Sequence, residues 1–208
     1  MRYDNFAYLW PPRPETAIAK PMLGFYQKKN WVAQAKMNGT CNLIAVSPDK
    51  KIKAMTRHNT DHKLWSPTPA SSTVFQSVSG NGWWVFVAEL LHSKVPGIKD
   101  TNYVHDVLVA NGEHLVGKTF AERQGILQNA FLKGDEQECD THWIINPNTW
   151  IAKNHSSNFS DIFNVWNKPE IEGLVLKNPN APLLACLKQS ANSGWQVKVR
   201  KPTKNYGF

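Results

Sequence analysis

The chain has 208 residues, 41% hydrophobic and 19% charged, enough apolar surface for one globular domain, which excludes a disordered or fibrous polymer. Lys and Arg number 24 against 16 Asp and Glu, a formal charge of +8 that favours a polyanionic partner, nucleic acid first. Cys41, Cys139 and Cys186 form no C-x-x-C pair and read as reduced core thiols, and the most apolar stretch, residues 83–91, is too short to span a bilayer, so a cytoplasmic protein is expected.

Period-two patterning predicts strands over residues 31–36, 42–46, 51–56, 83–91, 103–110, 143–146, 172–177, 183–187 and 195–200. The second and third flank Ser47-Pro48-Asp49-Lys50, a turn-forming run that makes them a hairpin. The Pro/Ser/Thr-rich residues 65–81 read as a loop. Thr119 followed by Glu122 is a capping-box pattern opening a helix with Phe120, Ile126, Leu127, Ala130 and Phe131. Ser157 or Asn158 caps a second helix carrying Phe159, Ile162, Phe163 and Trp166. Short strands with two helices and no evident linker predict a single α+β domain over residues 1–208.

Charge is uneven along the chain. Residues 17–60 carry eight basic residues and one acid, Asp49, and no acid follows Glu172 in a stretch holding Lys177, Lys188, Lys198, Arg200, Lys201 and Lys204. Residues 100–140 hold eight acids against three basic residues, so the two ends are expected to share one basic face with the acidic middle on the far side.

Four positions carry chemistry on their own terms. Lys36 ends an apolar strand just before an Asn38-Gly39 turn. Partial burial and neighbouring cations free a lysine's lone pair and make the amine a nucleophile, although a surface lysine beside a hairpin is the plainer alternative. Glu89 lies in an apolar run, where an ionised carboxylate is costly unless paired, hydrogen-bonded or metal-bound. Lys198 and Arg200, two apart on a strand, face the same side.

These positions fall within an ordered set: Lys36-x-Asn38-Gly39-Thr40, Thr56-Arg57-His58-Asn59, Phe86-Val87-Ala88-Glu89-Leu90, Glu172-Gly173-Leu174-Val175-Leu176-Lys177, and Trp195 through Lys198, Arg200 and Lys201 to Pro202. The set, covering residues 31–202, resembles the covalent nucleotidyltransferases, the superfamily of ATP-dependent DNA ligases, RNA ligases and mRNA-capping guanylyltransferases. The resemblance implies antiparallel sheets around a nucleotide cleft. It also implies that Lys36 attacks the α-phosphorus of ATP and retains AMP as a phosphoramidate, assisted by Lys177, Lys198, Arg57 and Arg200. Glu89 then matches the residue that binds the ribose, and Glu172 the ligand of Mg2+ or Mn2+. Gly39 belongs to the nucleophile's turn, Gln34 matches the position that reads the base edge, and His105 the ring that stacks on the base, with Tyr103 as the alternative.

The family's further OB-type domain has no counterpart in the sequence, so the expected architecture is a bare adenylation core that draws additional cations from another segment. Lys36-x-x-Gly39-Thr40-x-Asn42 resembles phage-type RNA ligases, which implies an ATP-dependent RNA ligase sealing nicked or broken RNA, in the host cytoplasm if the source is viral. A minimal DNA ligase is the alternative, a capping enzyme charged by GTP the third reading, and a non-catalytic nucleic-acid-binding module the reading from another class.

Overall fold

The computed structural model describes residues 1–202; Lys204 of the basic closing stretch lies outside them. A 3-10 turn at Lys20–Met22 is followed by α1 (Leu23–Lys28), β1 (Val32–Met37), β2 (Thr40–Val46), β3 (Ile52–Thr56), α2 (Pro69–Gln76), β4 (Trp84–Leu91) and β5 (Thr101–Ala110). Then come β6 (Glu113–His114), α3 (Phe120–Phe131), β7 (Gln137–Glu138), β8 (His142–Asn146), β9 (Thr149–Ala152), α4 (Phe159–Val165), β10 (Ile171–Lys177) and β11 (Gln196–Arg200). The fold is α+β, as expected. An eight-stranded sheet runs β3-β2-β4-β5-β9-β8-β7 with β6 on β5, and a smaller sheet runs β1-β10-β11. The named strands pair antiparallel, as expected, except β5 with β9, which pair in parallel because the chain between them crosses back through α3.

Strand alternation sorts the small sheet into two faces. Ala33, Ala35, Leu174, Leu176, Val197 and Val199 point into a core closed by Leu23 of α1 and by Phe159 and Phe163 of α4. The large sheet has its own core, in which Phe86 and Val107 meet Phe75 of α2 and Leu127 and Phe131 of α3. Each such aliphatic or aromatic side chain contributes roughly 1.5–3 kcal/mol on burial. The polar face of the small sheet is left toward the large one, and the space between them is the cleft described below.

Local signals account for most elements. The capping box forms, with Thr119 Oγ1 accepting from the Glu122 amide at 3.2 Å and Glu122 Oε2 accepting from the Thr119 amide at 2.7 Å. The hairpin turn closes as read, the Ser47 amide donating to the Lys51 carbonyl at 2.9 Å while Lys50 takes a φ of 62°. Asn158 starts α4 but makes no side-chain cap; Gln27 of α1 accepts from the Phe159 amide at 3.0 Å instead.

Two readings are corrected. Residues 65–81 hold α2, capped by Thr68, whose hydroxyl accepts from the Ser71 amide at 3.1 Å, with Pro69 preset for the first turn and Phe75 buried. Residues 183–187 are not a strand. There the Asn192 side chain accepts from the Leu184 amide at 2.9 Å and donates to its carbonyl at 3.0 Å, taking the place of a ladder. Among the described residues no helix is long and apolar enough to cross a membrane.

Glycine is obligatory at Gly173. Its φ is 146°, and an added Cβ would lie 2.0 Å from the Val199 carbonyl oxygen. Gly173→Ala therefore forces β10 and β11 apart, and we expect it to cost at least about 1–3 kcal/mol, read as a lower urea midpoint.

Candidate active site

β1 ends the small sheet's contribution at Met37, and the chain enters the large sheet at Thr40, so Lys36 stands where the two sheets diverge. The Asn38-Gly39 turn makes the crossing, and no larger residue fits: a Cβ on Gly39 would come within 2.5 Å of the Leu90 carbonyl and 2.7 Å of Glu89 Cγ. Beside this junction opens a cleft of about 1170 Å³. All ten sequence candidates line it: Gln34, Lys36, Gly39, Arg57, Glu89, His105, Glu172, Lys177, Lys198 and Arg200.

Register explains the clustering. Lys36 lies opposite Gly173 and that residue opposite Arg200, while Gln34 lies opposite Val175 and that residue opposite Lys198. Residues in register point to one face, so Gln34, Lys36, Lys198 and Arg200 share the cleft side. Glu172 joins them through a bulge. The partner of Lys36 is Gly173 and that of Met37 is Ile171, which leaves Glu172 unpaired and turned toward the site. Its Oε1 is 2.9 Å from Lys36 Nζ and its Oε2 is 3.2 Å from Arg200 Nε, with Lys36 and Glu172 side chains 16% and 19% exposed.

Glu89, near the end of β4, is only partly exposed. Burial pushes its carboxyl up to about 7, against the pull of Lys36 and Lys94 and with the charge of Glu172 adding to the rise. It is therefore poised between acid and carboxylate at neutral pH, fit to exchange hydrogen bonds with a ligand hydroxyl.

The opposite end of the cleft is lined by buried side chains. His105 is also a bulge residue, since Val87 pairs with Asp106 and Ala88 with Val104. Burial, reinforced by Lys177, pushes its imidazole down to about 3, so the ring is neutral. Lys177 Nζ sits 3.5 Å from His105 Nδ1 and 4.6 Å from the centre of the Phe120 ring. Tyr103 also lines the cleft, but its hydroxyl donates to the Thr141 carbonyl at 3.4 Å and its ring is part of the small sheet's core. Gln34 is 2% exposed and donates to Gln124 Oε1 at 3.2 Å.

Several lining residues escaped the sequence reading. Residues 11–15 form a strap along the cleft, anchored where the Lys198 amide donates to the Thr16 carbonyl at 3.0 Å and Ile18 donates back to Lys198 at 2.9 Å. The strap brings in Arg13, held to Glu15 at 3.1 Å, and its Pro14 carbonyl accepts from Lys198 Nζ at 3.0 Å. Burial, then Arg200, Lys36 and Arg13, hold the Lys198 ammonium below its usual pKa. Lys94 reaches over from residues 92–100 to donate to the Gly39 carbonyl.

The ends of the chain thus meet on one basic face, and among the described residues nine Lys or Arg against four Asp or Glu line the cleft. The acidic middle is not all on the far side: Asp106 is buried, paired to Arg123 through bonds of 2.9 and 3.0 Å. Cys186 fills core as expected, but Cys41 lines the cleft, its thiol pushed up to about 12 by burial and then by Glu89, which leaves it protonated and inert.

The donor set also bears on a divalent metal. Among the described residues no group of three or more His, Cys, Asp or Glu could hold an ion alone. Mg2+ needs no such cage, since it takes one or two carboxylates and fills its shell with phosphates and water, and Glu172 and Glu89 offer such hard oxygens beside the amine.

A family model described as the ATP dependent DNA ligase domain matches residues 89–195. The chain is 24% identical over 168 residues to the SPbeta prophage-derived DNA ligase-like protein LigB of Bacillus subtilis (strain 168), covering 76% of this chain and 57% of that one. It therefore spans less than two thirds of that relative. Its fold is similar to the ligase domain of LigD from M. tuberculosis, with a TM-score of 0.64 at 14% identity over 94% of this chain and 61% of that one. It is also similar to an archaeal ATP-dependent RNA ligase, with a TM-score of 0.50 at 14% identity over 91% of this chain and 48% of that one.

Proposed function

Because the chain belongs to the ATP-dependent DNA ligase domain family, within the covalent nucleotidyltransferases, we propose that it is an ATP-dependent polynucleotide ligase charged with AMP on Lys36. The observation that carries the reading is the Lys36 amine, 2.9 Å from the bulged Glu172, at the junction of two sheets in a cleft dominated by cations. A lysine so placed faces the one electrophile that such a field collects, a polyphosphate.

In the first step the Lys36 ammonium releases a proton to solvent, its Nζ lone pair forms a bond to the α-phosphorus, the bond from that phosphorus to the bridging oxygen breaks, and pyrophosphate leaves while the new phosphoramidate nitrogen sheds its extra proton. Lys177, Lys198 and Arg200 neutralise charge spreading over the phosphoryl oxygens, and Arg57 and Arg13 stand at the cleft wall for the departing phosphates. Glu172 holds the ammonium before ATP arrives, and with Glu89 it supplies the oxygens for a divalent ion, which when bound lowers the charge on the phosphates. Glu89 accepts from the ribose, and His105 offers its neutral ring to the base, with Gln34 at the base edge. In the second step a 5′-phosphate oxygen displaces Lys36 from the AMP phosphorus. In the third a 3′-hydroxyl attacks the activated 5′-phosphate and AMP leaves.

For the polymer we read nicked DNA first, because the matching family and the Bacillus relative both carry the DNA-ligase name. RNA is the second reading, favoured by Lys36-x-x-Gly39-Thr40-x-Asn42. Asn42, however, is fully buried and does not line the cleft, donating to Asn102 at 2.8 Å and lying 3.0 Å from His62, so it reaches a substrate there at most through His62.

The test is the intact mass of the protein after Mg2+ and ATP, then pyrophosphate, followed by sealing assays on nicks with a deoxyribose or a ribose 3′ end. A gain of one AMP that pyrophosphate removes is expected. A GMP adduct from GTP in its place would indicate a capping enzyme. Protein first stripped with pyrophosphate that gains no nucleotide, yet binds nucleic acid in a salt-sensitive way, would be a binding module.

A further inference from the structure

Resting on the reading of the cleft as an adenylate site, we propose that Gln124 makes it selective for a 6-aminopurine over a 6-oxopurine nucleotide, by holding the Gln34 amide with its oxygen toward the base. Gln124 lies on α3, outside every motif of the family set, and is buried. Its amide sits 3.0 Å from the His105 carbonyl. A carbonyl oxygen only accepts, so the Gln124 atom there is its nitrogen.

That choice commits the other end. Gln124 Oε1 then accepts from Gln34 Nε2 at 3.2 Å and from Asn154 Nδ2 at 3.3 Å. Gln34 in turn gives one N–H to Gln124, which fixes the rotation of its amide and leaves its oxygen as the acceptor it can offer to the cleft that it lines. The orientation passes from a backbone carbonyl through two side chains, each step forced by donor and acceptor chemistry.

Rotating the Gln34 amide would set two amide oxygens against each other in a buried place and deprive Gln124 of a donor, a loss worth roughly 1–2 powers of ten. An oxygen fixed in this way accepts from the 6-amino group of adenine and repels the 6-oxo group of guanine or hypoxanthine. Gln124 never touches the nucleotide, so it is a positioning residue.

The experiment compares Lys36 charging by ATP and by ITP, which differ at the purine 6-position, in the full chain. Wild type is expected to prefer ATP, and Gln124→Met to reduce the ATP/ITP ratio of kcat/KM about tenfold or more. Adding Gln34→Glu to Gln124→Met restores the preference, because a carboxylate presents an acceptor whichever way it turns. Gln124→Leu, which removes the acceptor in another apolar shape, is expected to lower the ratio in the same way, so the proposal stays testable if the methionine variant does not fold.

An unchanged ratio in Gln124→Met, an equal loss with both nucleotides, or a wild type indifferent to the two overturns this inference alone. Wild-type protein, freed of any bound AMP, that is charged by neither nucleotide overturns the adenylate reading and this inference with it.

Discussion

Lys36→Ala gains no AMP from ATP, yet it seals a nick whose 5′-phosphate already carries AMP. The first half follows from the chemistry: without Nζ there is no bond to form at the α-phosphorus, and loss of a covalent nucleophile costs other enzymes up to about 10⁶-fold, so a fall of more than about 10³-fold is expected. The second half follows from the arrangement of the cleft. Lys177, Lys198 and Arg200 belong to β10 and β11, and they hold their places without the Lys36 side chain. Removing Lys36 does free one carboxylate oxygen of Glu172, but the other keeps its ion pair with Arg200 at 3.2 Å. Intact mass reads the first half, and a gel of the preadenylylated nick the second. A variant that still acquires one AMP would show that another nucleophile acts and would sink the assignment.

How far the sequence leads depends on what kind of contact is asked for. Lys36, Glu89, Lys198 and Arg200 are legible because each marks the end of a strand or breaks a hydrophobic pattern, and both signals are local. α2 leaves a local signal too, Thr68-Pro69 as a cap followed by a first-turn proline, which loop-like composition around it masks. Residues 183–187 misled because an apolar run also suits an irregular segment whose backbone is satisfied by a distant asparagine, here Asn192. The bulges at His105 and Glu172 lie beyond local pattern, since each depends on the register between strands far apart in the chain. The strap carrying Arg13 is hidden for the same reason. Gln124 did leave a trace: it and Arg123 are buried polar residues on a helix whose apolar stripe otherwise packs the core.

Lys177→Met is expected to make the protein more stable and a poorer enzyme, and the two effects have one cause. Lys177 is 2% exposed, and burial pulls its ammonium down to about 8, Arg123 pushing the same way and Asp106 opposing. Between about pH 8 and the ordinary lysine value of 10.5 the unfolded chain holds a proton that the folded chain has released, so stability rises with pH across that window. Below pH 8 both states are protonated and the full penalty of burying the charge is present. Methionine fills similar space without charge, so at pH 7 the variant should gain up to about 3 kcal/mol over wild type in urea unfolding. Most of that gap should close by about pH 9.5, where wild type sheds the proton. The same buried cation is worth most when a phosphate brings it a counter-charge, in a site with little water to screen it. We therefore expect charging by ATP to fall by roughly 10²–10³-fold, the scale of losing one preorganised electrostatic group. A variant that is stabilised but charges at the wild-type rate would place Lys177 outside the phosphate field. One that is destabilised equally at pH 7 and at about pH 9.5 would show that its ammonium is paired and at no cost to the fold.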